Sequence, residues 1–529
     1  MIADLARDNI TALPVTDVCI IGAGVAGQML AMRLAESGRS VRLVESGGRD
    51  FQADIQSVSD GDNVGADYYP LETARLRLFG GTAAIWGGRC AELDPIDFER
   101  RDYVPQSGWP MTKADLDPHY DRAYAQMGLQ RAGEGRLWKT IGRTPPAFDP
   151  SKLEADLWCF DENGERFTDP KRGSLSQVDL LLNATVTEIE VAESGEVTSV
   201  QVQSLNGKSL RLNAKVFVLA AGAIETARLL QAAVPSRPNG FGNERDVLGR
   251  YFMEHPHARG GQVLPEKLSQ ALMLLPRALR VKGKRYAAYL RPSETLQREA
   301  GILNSSLSLA PRRHADGKMD LFRATKGKLK HDLPSTRFWR STYKKLKHVT
   351  IRGRELTDPW PSVLSMKRHR GRLGLYAIIR AEQAPIPESR VSLSDRKDAF
   401  GMPLAELDWH YSELDKRSVK VMMETLRDEV ARMGLGRVDL EPWLNDPDIL
   451  WTSDPLISAH PIGGYHHMGG VRMGADASSG VVDKNCRLFE SPNLYVAGSS
   501  VFPTGGWANP TVTIMALADR LGAHLDSVL

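Results

Sequence analysis

The hydrophobic positions near the start of the chain fall into three successive patterns. Val18, Cys19, Ile20 and Ile21 form an apolar run of strand length, Met29, Leu30, Met32 and Leu34 recur at helical spacing, and Val41, Leu43 and Val44 form a second apolar run. Gly22, Gly24 and Gly27 stand between the first run and the helix, and Glu45 closes the second run about twenty residues further on. This order predicts strand, glycine turn, helix and strand. Gly22 permits the tight turn, Gly24 lets backbone amides approach a pyrophosphate, Gly27 lets the helix lie on the strand, and Glu45 offers an acceptor to ribose hydroxyls. Dinucleotide binding is the expectation.

Further along, 178–189 and 200–202 read as strands, and 214–223 is an apolar strand ending in small residues, followed by a helix over 225–233. Thr112 reads as the N-cap of a short turn. From about residue 256 to 454 the pattern changes to alternating strands, as at 391–393 and 407–409, with an amphipathic helix over 412–433. The predicted class is α/β (α+β overall). A discontinuous Rossmann-like domain spans 1–110, 176–255 and 455–529, with a lid or connector at 111–175 and an inserted strand-rich substrate domain at 256–454.

Composition narrows the field. The chain has 529 residues, 42% hydrophobic and 25% charged, as in globular proteins of two large domains. A net charge of +3 makes no case for a nucleic-acid partner. The cysteines Cys19, Cys90, Cys159 and Cys486 form no CxxC pair, which fits a reducing compartment. The N-terminal residues lack a basic-then-apolar leader, and no run has the length of a membrane span, so a cytoplasmic location is expected. One segment stands apart: 323–354 is rich in Lys and Arg with interspersed aromatics, a pattern of a solvated excursion or, less favoured, of contact with a membrane surface.

Two glycine-rich stretches carry the candidate chemistry. The loop from Leu78 to Cys90 brackets small residues and Trp86 between Gly80-Gly81 and Gly87-Gly88, so its backbone can run close against something flat. Near the C-terminus, His460, His466 and His467 lie among glycines with no carboxylate or cysteine at ligand spacing, which argues against a metal. An imidazole suits removal of an alcohol proton near neutral pH. Asn509-Pro510 reads as an N-cap followed by proline at the first position of the last helix.

Taken in order, GAGVAG with Glu45, GGTAAIWGG, AAGAIETARLL, GRYFMEHP, HHMGGVRMG, NLYVAGSSVFP and ANPTVTIMALADRL resemble the glucose–methanol–choline (GMC) family of FAD-dependent alcohol oxidoreductases, in particular its pyranose 2-oxidase and glucoside 3-dehydrogenase branch. The resemblance implies FAD as cofactor. It places the base at His466, with His467 as the fallback, and the oxygen-holding partner at Asn509. It sets Gly81, Thr82, Trp86, Val186, Gly222, Gly498, Ser499, Asn509 and Thr511 at the cofactor beside Gly22, Gly24, Gly27 and Glu45. Glu225 is expected nearby, and Gln383 at the substrate. The histidine that binds flavin covalently in some members is replaced by Ile85, so noncovalent FAD is expected. The implied substrate is a small-molecule alcohol, a sugar or glycoside, and the electron acceptor is dioxygen, a quinone or a protein. A non-sugar alcohol, or a lyase that keeps FAD structurally, are the alternatives. An NAD dehydrogenase would share only the opening fingerprint.

Overall fold

The computed structural model describes residues 1–131, 136–163, 166–314, 360–368, 372–458 and 460–529; the basic segment 323–354 lies outside the described residues. The nucleotide domain is built on a six-stranded parallel sheet in the order Ile2–Asp4, Asp179–Leu182, Val41–Val44, Thr16–Ile21, Ala214–Leu219, Leu494–Val496. Its central strands are apolar throughout because both faces are covered, and Val18, Cys19, Ile20, Phe217, Val218 and Leu219 are fully buried. Helix Val25–Glu36 packs beside the C-terminal helix Thr511–Val528.

Close packing explains two of the glycines. Gly22 has φ +108°, and a Cβ there would lie 2.5 Å from the Ala220 carbonyl oxygen. A Cβ on Gly27 would lie 2.0 Å from the Gly22 carbonyl oxygen, so only glycine lets the helix sit on the turn.

The second large sheet is antiparallel and has eight strands. Its main path runs Gly436–Leu440, His257–Pro265, Leu373–Ala381, Ser305–Arg313, Lys284–Pro292, Leu153–Phe160, Arg89–Cys90, with Leu279–Val281 paired to Lys284–Pro292. Helix Glu413–Arg432, expected from the amphipathic pattern over 412–433, covers it and is capped by Ser412 in a reciprocal box with Asp415. Thr112 likewise caps Lys113–Asp115.

Two expectations need correction, and one strand was not anticipated. The substrate sheet is not confined to 256–454: Arg89–Cys90 comes from the first nucleotide segment and Leu153–Phe160 from the stretch read as a lid or connector. The run 178–189 is two strands in two different sheets, Asp179–Leu182 and Thr185–Val191, because Asn183 turns the chain at φ +52°. Residues Ile2–Asp4, too short to show a period, form the edge strand of the nucleotide sheet.

Candidate active site

A cavity of about 550 Å³ lies where the two sheets meet. Three helices start at its wall without a side-chain cap: Val25–Glu36 after Gly24, Ala223–Ala232 after Gly222, and Thr511–Val528 after Pro510. Their first amides and positive dipole ends therefore remain available to an anionic or electron-rich group. A Cβ on Gly24 or Gly222 would meet no protein atom within 4 Å, so these glycines leave room for something other than protein.

The cavity gathers Gly22, Gly24, Glu45, Gly81, Thr82, Trp86, Val186, Gly222, Glu225, His466, His467, Gly498, Ser499, Asn509 and Thr511. Gly27 stays behind the turn, where its role is packing. Glu45 accepts from the amides of Ala23 (3.0 Å) and Gly47 (2.9 Å), which fixes its carboxylate at the cavity edge; burial raises its pKa. Glu225 is ion-paired with Arg77 (2.7 Å) and Arg228 (2.8 Å), and these charges overcome its burial and hold its carboxyl far below the usual range.

His466 is held from both sides. Nδ2 of Asn509 donates to Nε2 of His466 at 2.9 Å, and Nδ1 of His466 lies 2.9 Å from Nδ1 of His255. Nε2 of His255 lies 2.7 Å from the Gly506 carbonyl oxygen. A carbonyl can only accept, so neutral His255 carries its proton on Nε2 and presents a lone pair at Nδ1. His466 must then donate from Nδ1, which leaves its lone pair at Nε2. Burial and the neighbouring cations keep both rings neutral: His255 is pushed down to about 4, and His466 well below its ordinary value by desolvation, His255, His257 and Arg380. The ring of His466 is partly exposed, but it faces the cavity.

The expected capping role of Asn509 is not what the structure holds. Helix Thr511–Val528 begins after Pro510 with no side-chain cap, and the Asn509 amide turns to His466 instead. Gln383, expected at the substrate, is absent from the cavity wall and 1% exposed. Its Oε1 accepts from Glu254 N (3.0 Å) and Trp409 Nε1 (2.8 Å), and its Nε2 donates to the His410 carbonyl (2.6 Å), so the amide is spent on packing.

The sequence left two braces unassigned. Glu254, 0% exposed, accepts from the amides of His255 (2.7 Å), Gly464 (3.2 Å) and His466 (2.8 Å) and from Tyr68 Oη (2.6 Å). Burial raises it to about 7. His467 bonds Tyr68 Oη through Nε2 at 2.9 Å, and burial lowers it to about 3. Glu254 and His255 stand in the GRYFMEHP motif, whose acid and imidazole were the available signal; nothing local marked Tyr68.

A parallel sheet, uncapped helix ends and glycine cradles define a dinucleotide-binding protein, with His466 and His467 at one end of the cavity. The profile described as FAD dependent oxidoreductase matches residues 17–312, and that described as GMC oxidoreductase matches residues 385–518. The chain belongs to the FAD-dependent oxidoreductases, with a GMC-type C-terminal part. It is similar to 2-methyl-1,2-propanediol dehydrogenase of Mycolicibacterium austroafricanum, 24% identical over 97% of this chain and 96% of that protein. Fructose dehydrogenase large subunit of Gluconobacter japonicus is 22% identical over 95% and 96% of the two chains, and paromamine 6'-oxidase of Streptomyces fradiae 24% identical over 96% and 90%. The fold matches that of pyridoxine 4-oxidase from Mesorbium loti, with a TM-score of 0.53 at 17% identity over 96% of this chain and 99% of that one. Among the described residues no helix is long and apolar enough to cross a membrane.

Proposed function

We propose that this chain oxidises a hydroxyl of a sugar or glycoside to a carbonyl with noncovalently held FAD, using His466 as the base. The observation that carries this reading is the Asn509–His466–His255 line, which sets the imidazole lone pair at Nε2, beside the Asn509 amide, in residues that line the cavity. Bound FAD would supply the hydride acceptor. Gly24, Glu45, Gly222 and the start of helix Thr511–Val528 would hold it, and the cradles described above suit a dinucleotide.

His466 accepts the hydroxyl proton at Nε2 as the Asn509 amide, which donates to that lone pair in this structure, turns to the substrate oxygen. Asn509 lies within hydrogen-bond reach of the same nitrogen, so its amide is placed to hold the substrate oxygen as the proton leaves. The lone pair of His255 at Nδ1 fixes the ring of His466 and stabilises the charge it gains.

Support for the sugar class comes from relatives named fructose dehydrogenase, paromamine 6'-oxidase and C-glycoside 3-oxidase. The relative named 2-methyl-1,2-propanediol dehydrogenase favours a second reading, a non-sugar alcohol. The acceptor that reoxidises the flavin is dioxygen, a quinone or a protein, since names of both oxidases and dehydrogenases occur among these relatives.

An anaerobic screen of sugars, glycosides and simple alcohols tests the reading through bleaching of the oxidised flavin. Bleaching by a sugar or glycoside is expected. Bleaching by simple alcohols alone would favour the second reading, and a protein that keeps its FAD yet is bleached by none would count against oxidation altogether.

A further inference from the structure

The histidine end of the cavity carries two arginines with no acid beside them. Arg380 lies directly across the strand pair from His257, and Arg89 stands opposite Phe160 in the same sheet. Both line the cavity with His466. Their guanidinium carbons lie 4.8 Å (Arg89) and 5.4 Å (Arg380) from the centre of the Trp158 ring, so the two charges flank a single indole.

Neither guanidinium has a hydrogen bond or ion pair among the described residues, and Nε of Arg89 and Nη1 of Arg380 are buried with no partner. Two other buried arginines are neutralised by carboxylates, whereas Arg472, 4% exposed, has no ion pair among the described residues. Arg101 makes a two-point contact with Glu382 (2.9 and 2.6 Å), and Arg228 pairs with Glu225 and Asp398. Burying a charge without a counter-charge is costly, so an uncompensated pair at a cavity wall calls for a ligand that brings the missing charge.

The field at these residues has the same sign from every side. Burial and then Arg285 and Arg277 lower Arg89 to about 10, while burial and then Arg89, Arg312 and Arg277 lower Arg380; among the described residues no carboxylate offsets either shift. Arg285 lines the same wall, over Phe160 at 4.1 Å. The charge of Arg380 also reaches His255, His257 and His466, which places it beside the proposed base.

We propose that the substrate carries an anionic group, a carboxylate or a phosphate, which Arg89 and Arg380 bind while its hydroxyl meets His466. The substrate class is then acidic sugars or glycosides rather than neutral ones; this rests on the hydroxyl-oxidation reading of the same cavity. Guanidinium forks match both oxyanions in shape and charge. Substrate binding also relieves the base: the anion cancels the charge of Arg380, so His466 can hold a proton that the empty cavity opposes.

The test uses the FAD-loaded protein, wild type and Arg380→Gln, Arg89→Gln and Arg380→Lys. Anaerobic flavin reduction is compared for glucose, glucuronate and glucose 6-phosphate, and thermal melting is followed with glucuronate and with inorganic phosphate. In the wild type, one of the acidic sugars is expected to exceed glucose in reduction efficiency by on the order of tenfold or more. The acid-to-neutral ratio should fall at least about tenfold in Arg380→Gln and recover in part in Arg380→Lys.

Melting gives a second readout, separate from activity. Arg380→Gln and Arg89→Gln should melt higher than wild type without ligand, because an uncompensated charge is gone, and the anion that raises wild-type melting should no longer do so. The glucuronate and phosphate arms tell carboxylate from phosphate. Equal reduction by glucose and both acids, an equal loss for all three in the variants, or loss of FAD from the variants would overturn the proposal, the last by assigning the arginines to the cofactor phosphates. Bleaching by glucose with no acid preference would sink the anion site and leave the oxidation reading standing. Arginine-dependent stabilisation by glucuronate or phosphate, with no sugar or alcohol bleaching the flavin, would do the reverse.

Discussion

Nδ2 of Asn509 lies 2.9 Å from Nε2 of His466 across 43 residues of sequence, and this contact gives the two adjacent histidines different surroundings. His467 directs its own Nε2 at Tyr68, away from that pair. His466→Ala should therefore keep FAD and lose substrate-driven flavin reduction by on the order of a hundredfold or more, the scale of general-base catalysis. His467→Ala should lose far less. Rapid-mixing reduction of both variants at matched flavin content decides it, and equal losses would remove His466 from its special position.

The glycine turn gives two opposite outcomes from one fingerprint. A side chain at Gly24 meets no protein atom within 4 Å, whereas one at Gly27 meets a carbonyl oxygen at 2.0 Å. Gly24→Val should fold with an unchanged far-ultraviolet spectrum but purify colourless, while Gly27→Val should be insoluble or melt much lower. Glu45→Ala, which strips an acceptor from two backbone amides as well as from a ribose, should weaken FAD by about 1.5–3 kcal/mol. A fully yellow Gly24→Val protein would displace the pyrophosphate from this turn.

What was legible in the sequence was local. The helix after Gly24, the Thr112 cap and the Glu45 terminus each depend on residues within a turn or two, or on a fixed strand-to-strand spacing. The His255–His466 contact spans 211 residues, and no spacing rule links an acid-imidazole pair on one segment to a glycine-rich loop on another. Gln383 shows the reverse failure. A polar side chain between Glu382 and Ala384 resembled a substrate contact, yet the fold turns it toward Trp409 and the Glu254 backbone. Arg89 and Arg380 sit on strands that meet only through the second sheet, so their shared indole was invisible to pattern.

Glu254 and His255 are neighbours that titrate in opposite senses. Burial raises Glu254 from 4.5 to about 7, so its contribution to stability is present below pH 4.5 and lost as pH rises through 7. Burial lowers His255 from 6.5 to about 4, so its contribution is present above pH 6.5 and lost as pH falls through 4. Between pH 4.5 and 6.5 the two offset one another. Glu254→Gln should make stability fall more steeply on acidification, and His255→Gln less steeply, each by about 1.4 kcal/mol per pH unit relative to wild type. Denaturant unfolding of the three proteins across that interval reads the slopes. Parallel slopes in all three would contradict these burial shifts.

The last prediction concerns how FAD is held. Ile85, at the loop position before Trp86, lines the cavity and offers no nucleophile. All four cysteines are buried, and none lines the cavity. Cys90, the nearest in sequence to the loop, points its sulfur at the Gly88 carbonyl and at the Met127 sulfur, and burial raises its thiol well above the ordinary range, which suppresses the thiolate a covalent bond would need. The histidines at the cavity wall are His257, His460, His466 and His467. His257 is bonded through Nδ1 to the His460 carbonyl at 2.6 Å, and His466 and His467 are engaged as described. Affinity then rests on the helix N-termini, Glu45 and ring packing. Precipitation with acid should release the flavin completely into the supernatant. Colour retained in the pellet would show a covalent bond, and peptide mapping of that pellet would identify which of the wall histidines, or Cys90, had formed it.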